Sequence, residues 1–389
     1  MTDSCPACQC TQAKRFFELR AMPVSIGIQW PSAEEALSCK TGDVQLALCS
    51  RCGLIWNCAF DVNRLEYSQR YDNSLDFSPV FQDYARRLAH RLIDTYEVRG
   101  KDVVELGCGK GHFLTLLCQE GRNRGVGFDP SYQGGHMENV ASAQITYIRD
   151  FYGEQYIRYA GDLICCRHVF EHIPEPSGFL SLVQRTIGDR TSVVYFEVPN
   201  VRFILEHLSV WDIIYEHCNY FSRESLTAVF QQCGFEVVRL EETYGNQFLA
   251  LDARTTGSKK EVAGREMDLS NLQASVDRFA DLVQARLQGW QQRLAQWRAE
   301  GHSAVIWGGG AKAVSFLNML KIAGPIPFVV DINPHKQGRY LPGTGQQVVA
   351  PEFLRECRPQ TVVLMNPMYR QEVEDHLHAL GVAAEVLDV

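Results

Sequence analysis

The sequence predicts an α/β protein built on a doubly wound parallel sheet, with a cysteine-rich module before it and a smaller Rossmann-like unit after it. Three observations carry that expectation. Two Cys-x-x-Cys pairs lie inside the first 65 residues. From about residue 80 to 254, short apolar runs alternate with amphipathic stretches, the pattern of a parallel sheet with helical crossovers. After Gly301 that alternation restarts on a smaller scale.

The bulk properties set the limits. A chain of 389 residues exceeds one ordinary core, so the expected division is 1–65, 66–255 and 256–389. Hydrophobic residues make up 46% and charged residues 22%, as in a soluble globular protein. No apolar run approaches the ~20 residues of a membrane span, and the polar start "MTDSCPACQC" has no signal-peptide core. A cytoplasmic location is therefore expected. A net charge of −8 argues against a nucleic-acid partner, which would call for a basic face. Monomer and dimer are both compatible with the sequence.

In the first segment, Cys5-Pro-Ala-Cys8 and Cys49-Ser-Arg-Cys52 have the gap that lets two thiolates grip one ion. Four thiolates complete a closed tetrahedral zinc site, which holds structure and leaves no position for chemistry. The other 10 of the 14 cysteines are expected to be plain thiols, Cys10, Cys39 and Cys58 among them. With few apolar residues, the segment is expected to be irregular and to draw much of its stability from the ion.

In the second segment, "DVVELGCG", "RGVGFDP", "DLICCRHVF", "SVVYFEVPN" and "FEVVRLEE" read as strands. "VVELGCGKGHFL" ends one strand and opens a helix, and its pattern Glu105-x-Gly107-x-Gly109-x-Gly111 departs from the dinucleotide fingerprint Gly-x-Gly-x-x-Gly. The glycines permit a tight turn and close approach of backbone to ligand. Glu105 suits a cationic amino-acid moiety and not a phosphate. About twenty residues on, Asp129 stands where an acidic side chain takes both ribose hydroxyls. Together these residues resemble the class I S-adenosylmethionine (SAM) methyltransferases. The resemblance implies Asp150 and Phe151 flanking the adenine, and His168 near the meeting point of methionine and acceptor.

In the third segment, Leu272, Val276, Phe279, Val283, Leu287, Trp290 and Leu294 recur at helical spacing, which predicts a long helix over 269–298. "SAVIWGGGAKAVSFLNML", "PFVVDINP" and "TVVLMNP" then supply strands of the second α/β unit.

One stretch, "YEHCNYFS" (215–222), crowds reactive groups between an aliphatic run and a helix that Ser222 should cap. Glu216 beside His217 in an apolar neighbourhood suggests a general base with an orienting carboxylate. "EVPN…WDIIYEHCNYFS" is similar to the Glu-Val-Pro-His…Phe-Asp-Thr-Ile-Tyr-His-Glu-His-Phe-Ser-Tyr-Phe-Ser region of the sugar C-methyltransferases, and Lys336-Gln337-Gly338-Arg339-Tyr340-Leu341-Pro342-Gly343-Thr344 matches a motif of their last domain. That family joins a four-cysteine zinc module, a SAM domain and a Rossmann-like domain. It methylates nucleotide-linked 4-keto-deoxysugars in antibiotic biosynthesis. The resemblance implies His217 as the base, with Tyr71, His172, Tyr215 and Glu216 lining the same pocket. The chain departs from the family at Tyr215, where the family has histidine, at the glycine loop, and at Gly245–Leu249, where an arginine is missing. An O- or N-methyltransferase for another small metabolite is the second reading. A non-catalytic SAM- and zinc-binding module is the third.

Overall fold

The computed structural model describes residues 4–65, 74–134, 144–256, 268–321 and 325–389. Three sheets organise them. The first begins with β1 (Ala13–Pro23), β2 (Thr41–Cys49) and β3 (Ile55–Asn57), all antiparallel, with the short helix α1 (Ala33–Leu37) between β1 and β2. The segment expected to be irregular thus contributes three strands of a sheet. Register shifts at Arg15/Phe17 and Leu19/Met22 break the period-two pattern that would have betrayed β1.

The central unit opens with α2 (Pro79–Tyr96), capped by the Ser78 hydroxyl and started by a proline at its first position. It continues through β4 (Asp102–Leu106), α3 (His112–Gly121), β5 (Arg124–Phe128), β6 (Ile145–Ile148), β7 (Leu163–Arg167), α4 (Pro176–Ile187), β8 (Val193–Pro199), α5 (Val201–Glu206), the two-residue β9 (Asn219–Tyr220), α6 (Arg223–Gln232), β10 (Phe235–Thr243) and β11 (Phe248–Thr255). The strand order is β10-β11-β8-β7-β4-β5-β6. Strands β4 to β8 run parallel, as expected, whereas β11 is antiparallel to both neighbours and makes the sheet mixed. The chain leaves β4 toward β5 and β6 and returns on the other side through β7, so a crevice opens at the carboxyl end of β4.

The third sheet follows α7 (Ser270–Glu300). It contains β12 (Ala304–Trp307), α8 (Ala311–Leu320), β13 (Phe328–Val330), β14 (Gln347–Val349), α9 (Leu354–Cys357), β15 (Thr361–Leu364), α10 (Arg370–Leu380) and β16 (Glu385–Asp388), in the parallel order β14-β13-β12-β15-β16. The expected apolar face of α7 is buried apart from Leu287, which is only partly covered.

The three sheets share their cores. Strand β9 leaves the central unit and pairs with β3, making it the fourth strand of the first sheet. Ile26, just past β1, and Leu46 of β2 pack in one cluster with Trp211 and Ile214, with Phe279 of α7 and with Phe316 of α8. The phenyl ring of Phe279 meets Phe17 edge-on at 5.4 Å. Among the described residues, no helix is long and apolar enough to cross a membrane.

Candidate active site

The four paired cysteines converge. Cys5 and Cys52 Sγ are 3.5 Å apart, as are Cys8 and Cys49 Sγ, and all four sulfurs lie within 4.8 Å of one another. A tetrahedron with ~2.3 Å bonds separates its sulfurs by about 3.7 Å, so the donor set fits zinc. The cluster packs on the central unit: these cysteines share a core with Phe170 and Phe221, and Ser177 of α4 donates to the Ala7 carbonyl at 2.9 Å. Cys10, Cys39 and Cys58 stand outside it.

At the crevice, Gly107, Gly109 and Gly111 all have positive φ. A Cβ on Gly107 would meet Val169 at 2.2 Å, and one on Gly111 would meet Tyr147 at 2.5 Å, so these two positions exclude any side chain. The Gly109 amide donates to Asp129 at 2.8 Å, and the amide and hydroxyl of Ser131 donate to the other Asp129 oxygen at 2.8 and 2.6 Å. Glu105 is buried with Oε2 unpartnered; burial pushes its carboxyl up to about 8, against the pull of Arg167. An unsatisfied carboxyl beside a glycine cradle fits a ligand that brings its own cation. On β6's side, hydrogen bonds from the Tyr156 hydroxyl and the Phe151 amide hold Asp150 below the usual carboxylate range. The Phe151 ring, 60% exposed, lines the cavity and is not core.

The ends of β7 and β8 carry a buried ionic set. The Arg167 guanidinium lies over the Phe113 ring and grips Glu197 Oε1 at 2.9 and 3.1 Å. The Tyr195 and Tyr84 hydroxyls donate to the other Glu197 oxygen. Burial works against this carboxylate's charge, but Arg167 and His168 outweigh it and hold Glu197 far below the usual range. His168 sits at φ +54, a left-handed conformation uncommon for a side-chain-bearing residue, with Nε2 3.0 Å from Glu197. Beyond it, Glu171, His172 and His217 bring their side-chain donor atoms within 4.8 Å of one another. The two imidazoles meet edge-on at 4.9 Å. Burial lowers His172 to about 4; burial, with His172 alongside, lowers His217 well below the ordinary imidazole value. Both shifts favour the neutral form of the ring.

Gly107, Gly109 and Asp129 of the crevice and His168, Glu171, His172 and His217 line one continuous cavity of about 900 Å³. Its far wall is the second α/β unit: the Gly308–Lys312 turn, Asn333, Lys336, Asn366 and Tyr369. Lys312 joins the two units by contacts to Asp212 at 3.0 Å and Gln247 at 3.2 Å, and Gln247 exchanges two hydrogen bonds with Asn366, both 3.0 Å.

Two expected members of the pocket lie elsewhere. Glu216 is turned away: its carboxylate accepts from the Ile26 amide at 2.7 Å, behind the site. The Tyr215 hydroxyl accepts from the Asp61 amide at 2.9 Å, and its ring fills the space over Gly42. Both lie in the turn at 215–216 that precedes β9, and both contact the first 65 residues, at Ile26, Gly42 and Asp61. The carboxyl nearest His217 is Glu171, at 4.0 Å, and not Glu216. Tyr71 lies outside the described residues. Sequence reading also missed Glu197 and Lys312, whose importance comes from contacts across the fold that no local spacing announces.

Comparisons with known proteins follow this geometry. A methyltransferase domain family matches residues 80–240, and a C-methyltransferase C-terminal domain family matches 253–384. The chain is 24% identical over 349 residues to the C-methyltransferase NovU of Streptomyces niveus, covering 86% of this chain and 82% of that protein. It is 26% identical over 114 residues to the ubiquinone biosynthesis O-methyltransferase of Escherichia coli O127:H6, covering 28% of this chain and about half (48%) of that enzyme. Among solved structures, a magnesium protoporphyrin IX methyltransferase from Synechocystis PCC 6803 with bound SAM aligns at TM-score 0.35 and 19% identity, covering 46% of this chain and 80% of that one.

Proposed function

We propose, for a chain that belongs to the SAM-dependent methyltransferases carrying a C-methyltransferase C-terminal domain, that it methylates the carbon beside the ketone of a nucleotide-linked deoxysugar, or a similarly activated carbon. The observation that carries this reading is the pair of imidazoles, His172 and His217, meeting edge-on at 4.9 Å on the wall of a cavity continuous with the glycine crevice. A carbon acid needs a base before it can act as a nucleophile, and an unprotonated imidazole can take the proton.

SAM supplies an electrophilic methyl group when bound. Gly107, Gly109 and Gly111 would take its backbone-close portion, Glu105 its amino group, Asp129 its ribose, and Asp150 and Phe151 the surroundings of its adenine. His217 takes the proton from carbon, and His172 keeps the neighbouring wall uncharged. His168, stabilised by Glu197, faces the developing oxyanion, which gains most from donors fixed in place beforehand. Tyr71 remains a candidate donor on the grounds of family resemblance. The second α/β unit, through Lys312, Asn333 and Lys336, would take the nucleotide end of the acceptor. Zinc at Cys5, Cys8, Cys49 and Cys52 would be structural, within a module of residues 1–65 preceding units of 66–255 and 256–389.

A hydroxyl acceptor is the second reading, favoured by the partial likeness to the ubiquinone O-methyltransferase. Incubating the protein with methyl-labelled SAM and a panel of nucleotide-linked ketosugars separates the two. Carbon-bound label supports the proposal; label only on oxygen or nitrogen, or none with any ketosugar, refutes it.

A further inference from the structure

Every methyl transfer from a sulfonium to a C–H carbon leaves one proton behind, and the base that took it must discharge it before the next turnover. His217 is poorly placed to do so unaided. Its side chain is only 15% exposed, Nδ1 is buried without a hydrogen-bond partner, and aromatic rings of His172 and Tyr220 crowd it. One titratable group connects it to more open ground. Glu171 Oε1 lies 4.0 Å from His217 Nε2 and 3.9 Å from His168 Nδ1. Its other oxygen is buried with no partner, while its backbone is pinned by the Cys218 thiol, which donates to the Glu171 carbonyl at 3.3 Å. His168, twice as exposed at 29%, stands at the cavity end of this row with Glu197 behind it.

From this alignment we infer that Glu171 is a proton-relay residue, which takes the proton from His217 and passes one to His168 and on to water. The inference rests on His217 being the base. The bookkeeping is closed: the acceptor C–H breaks as His217 N–H forms, that N–H breaks as Glu171 O–H forms, and Glu171 releases a proton to His168. The carboxyl and both imidazoles return to their starting states and no electron moves. Each gap is about 1 Å longer than a hydrogen bond, a distance that one side-chain rotation or one bridging water closes. A relay must also bind a proton more readily than the base that hands it over, and His217 is held well below the ordinary imidazole value. Burial pushes the Glu171 carboxyl up to about 8, with Glu197 adding to the effect. The groups facing it are His168 and Glu197 from the ends of β7 and β8, His172 on its own turn, and His217 and Cys218 from the stretch before β9.

Two measurements on the full-length protein test this. The first needs no acceptor: nitrogen-15 NMR of the histidine rings across pH 6–9. The His217 and His168 signals should both move with one shared step near pH 8, and Glu171→Gln should remove that step from both. Ring signals unchanged by Glu171→Gln would overturn the relay. The second uses thymidine-diphosphate-4-keto-2,6-dideoxyglucose in deuterated water. Without SAM, Glu171→Gln should slow exchange of the proton beside the ketone about tenfold or more, because the proton returns from His217 to the carbon it left. The first methyl transfer with SAM should stay near the wild-type rate, and Glu171→Asp should restore exchange in part. If exchange and first turnover fall together, Glu171 acts on the acceptor itself and the relay is wrong. Should the wild type show no exchange with this probe, the ketosugar reading fails, and the ring titration still decides the relay.

Discussion

Replacing Glu216 separates the geometry of this site from the reading its neighbour suggests. The carboxylate is 1% exposed and accepts from the buried Ile26 amide at 2.7 Å. Glu216→Ala removes the acceptor and leaves that N–H in a site without water. A buried donor stripped of its partner costs about 1–3 kcal/mol. For a unit of 150–250 residues each kcal/mol lowers Tm by about 2–4 °C, so a fall of roughly 2–12 °C is expected. Glu216→Gln, whose amide oxygen can still accept from Ile26, should recover most of the loss. The assay pairs a thermal melt with turnover and SAM affinity on the same samples. The folded variant should bind SAM as the wild type does and turn over near the wild-type rate. A Tm within error of wild type combined with a hundredfold loss of turnover would refute the reasoning and return Glu216 to the chemistry.

Three further outcomes are expected. Asp129→Ala removes the acceptor for the Gly109 amide and, on the proposed reading, for the ribose of SAM; losing bonds to a charged group costs ~1.5–3 kcal/mol, so calorimetry should show SAM affinity reduced about tenfold to a hundredfold. Cys49→Ser should lower zinc content from one ion per chain and destabilise the protein broadly, since the cysteines share a core with Phe170 and Phe221; metal analysis that still finds full zinc would displace the assignment. Because His172 is lowered to about 4 and His217 lies well below the ordinary value, their neutral forms persist as pH falls through 6.5, and they charge only below the usual imidazole range. Turnover limited by the base should therefore hold level as pH falls through 6.5 and drop only well below the ordinary imidazole value; a loss centred near 6.5 would mean that the base is an ordinary, solvated imidazole.

How much of this was legible in the sequence depended on how local the cause was. The parallel strands β4, β5, β7 and β8 were readable because each is a short apolar run closed by turn residues, and the glycine crevice because three glycines and Asp129 sit at fixed offsets. Helix α7 announced itself by a single buried stripe from Leu272 to Leu294. Strand β1 did not, since its register shifts leave Phe16 and Phe17 adjacent and polar residues at uneven intervals. Strand β9 was invisible because two residues have no period, and their strand character is conferred by β3. The site followed the same rule. His217 was found from its own neighbourhood. Sequence adjacency, however, put Glu216 beside it as a partner, whereas the turn at 215–216 delivers that carboxylate to the Ile26 amide. Its true carboxyl neighbour, Glu171, lies 46 residues away in sequence and is brought there by the turn after β7.

The central claim is that His217 removes a proton from carbon. The most direct test is solvent deuterium entry beside the ketone of a nucleotide-linked ketosugar, followed by NMR with no SAM present, in wild type and in His217→Asn. The account predicts exchange in the wild type and a loss of about 10²–10⁴-fold in a variant that melts normally and binds SAM with unchanged affinity. Exchange that persists at the wild-type rate in folded His217→Asn would contradict it, and the base would have to be sought at His172 or Tyr71.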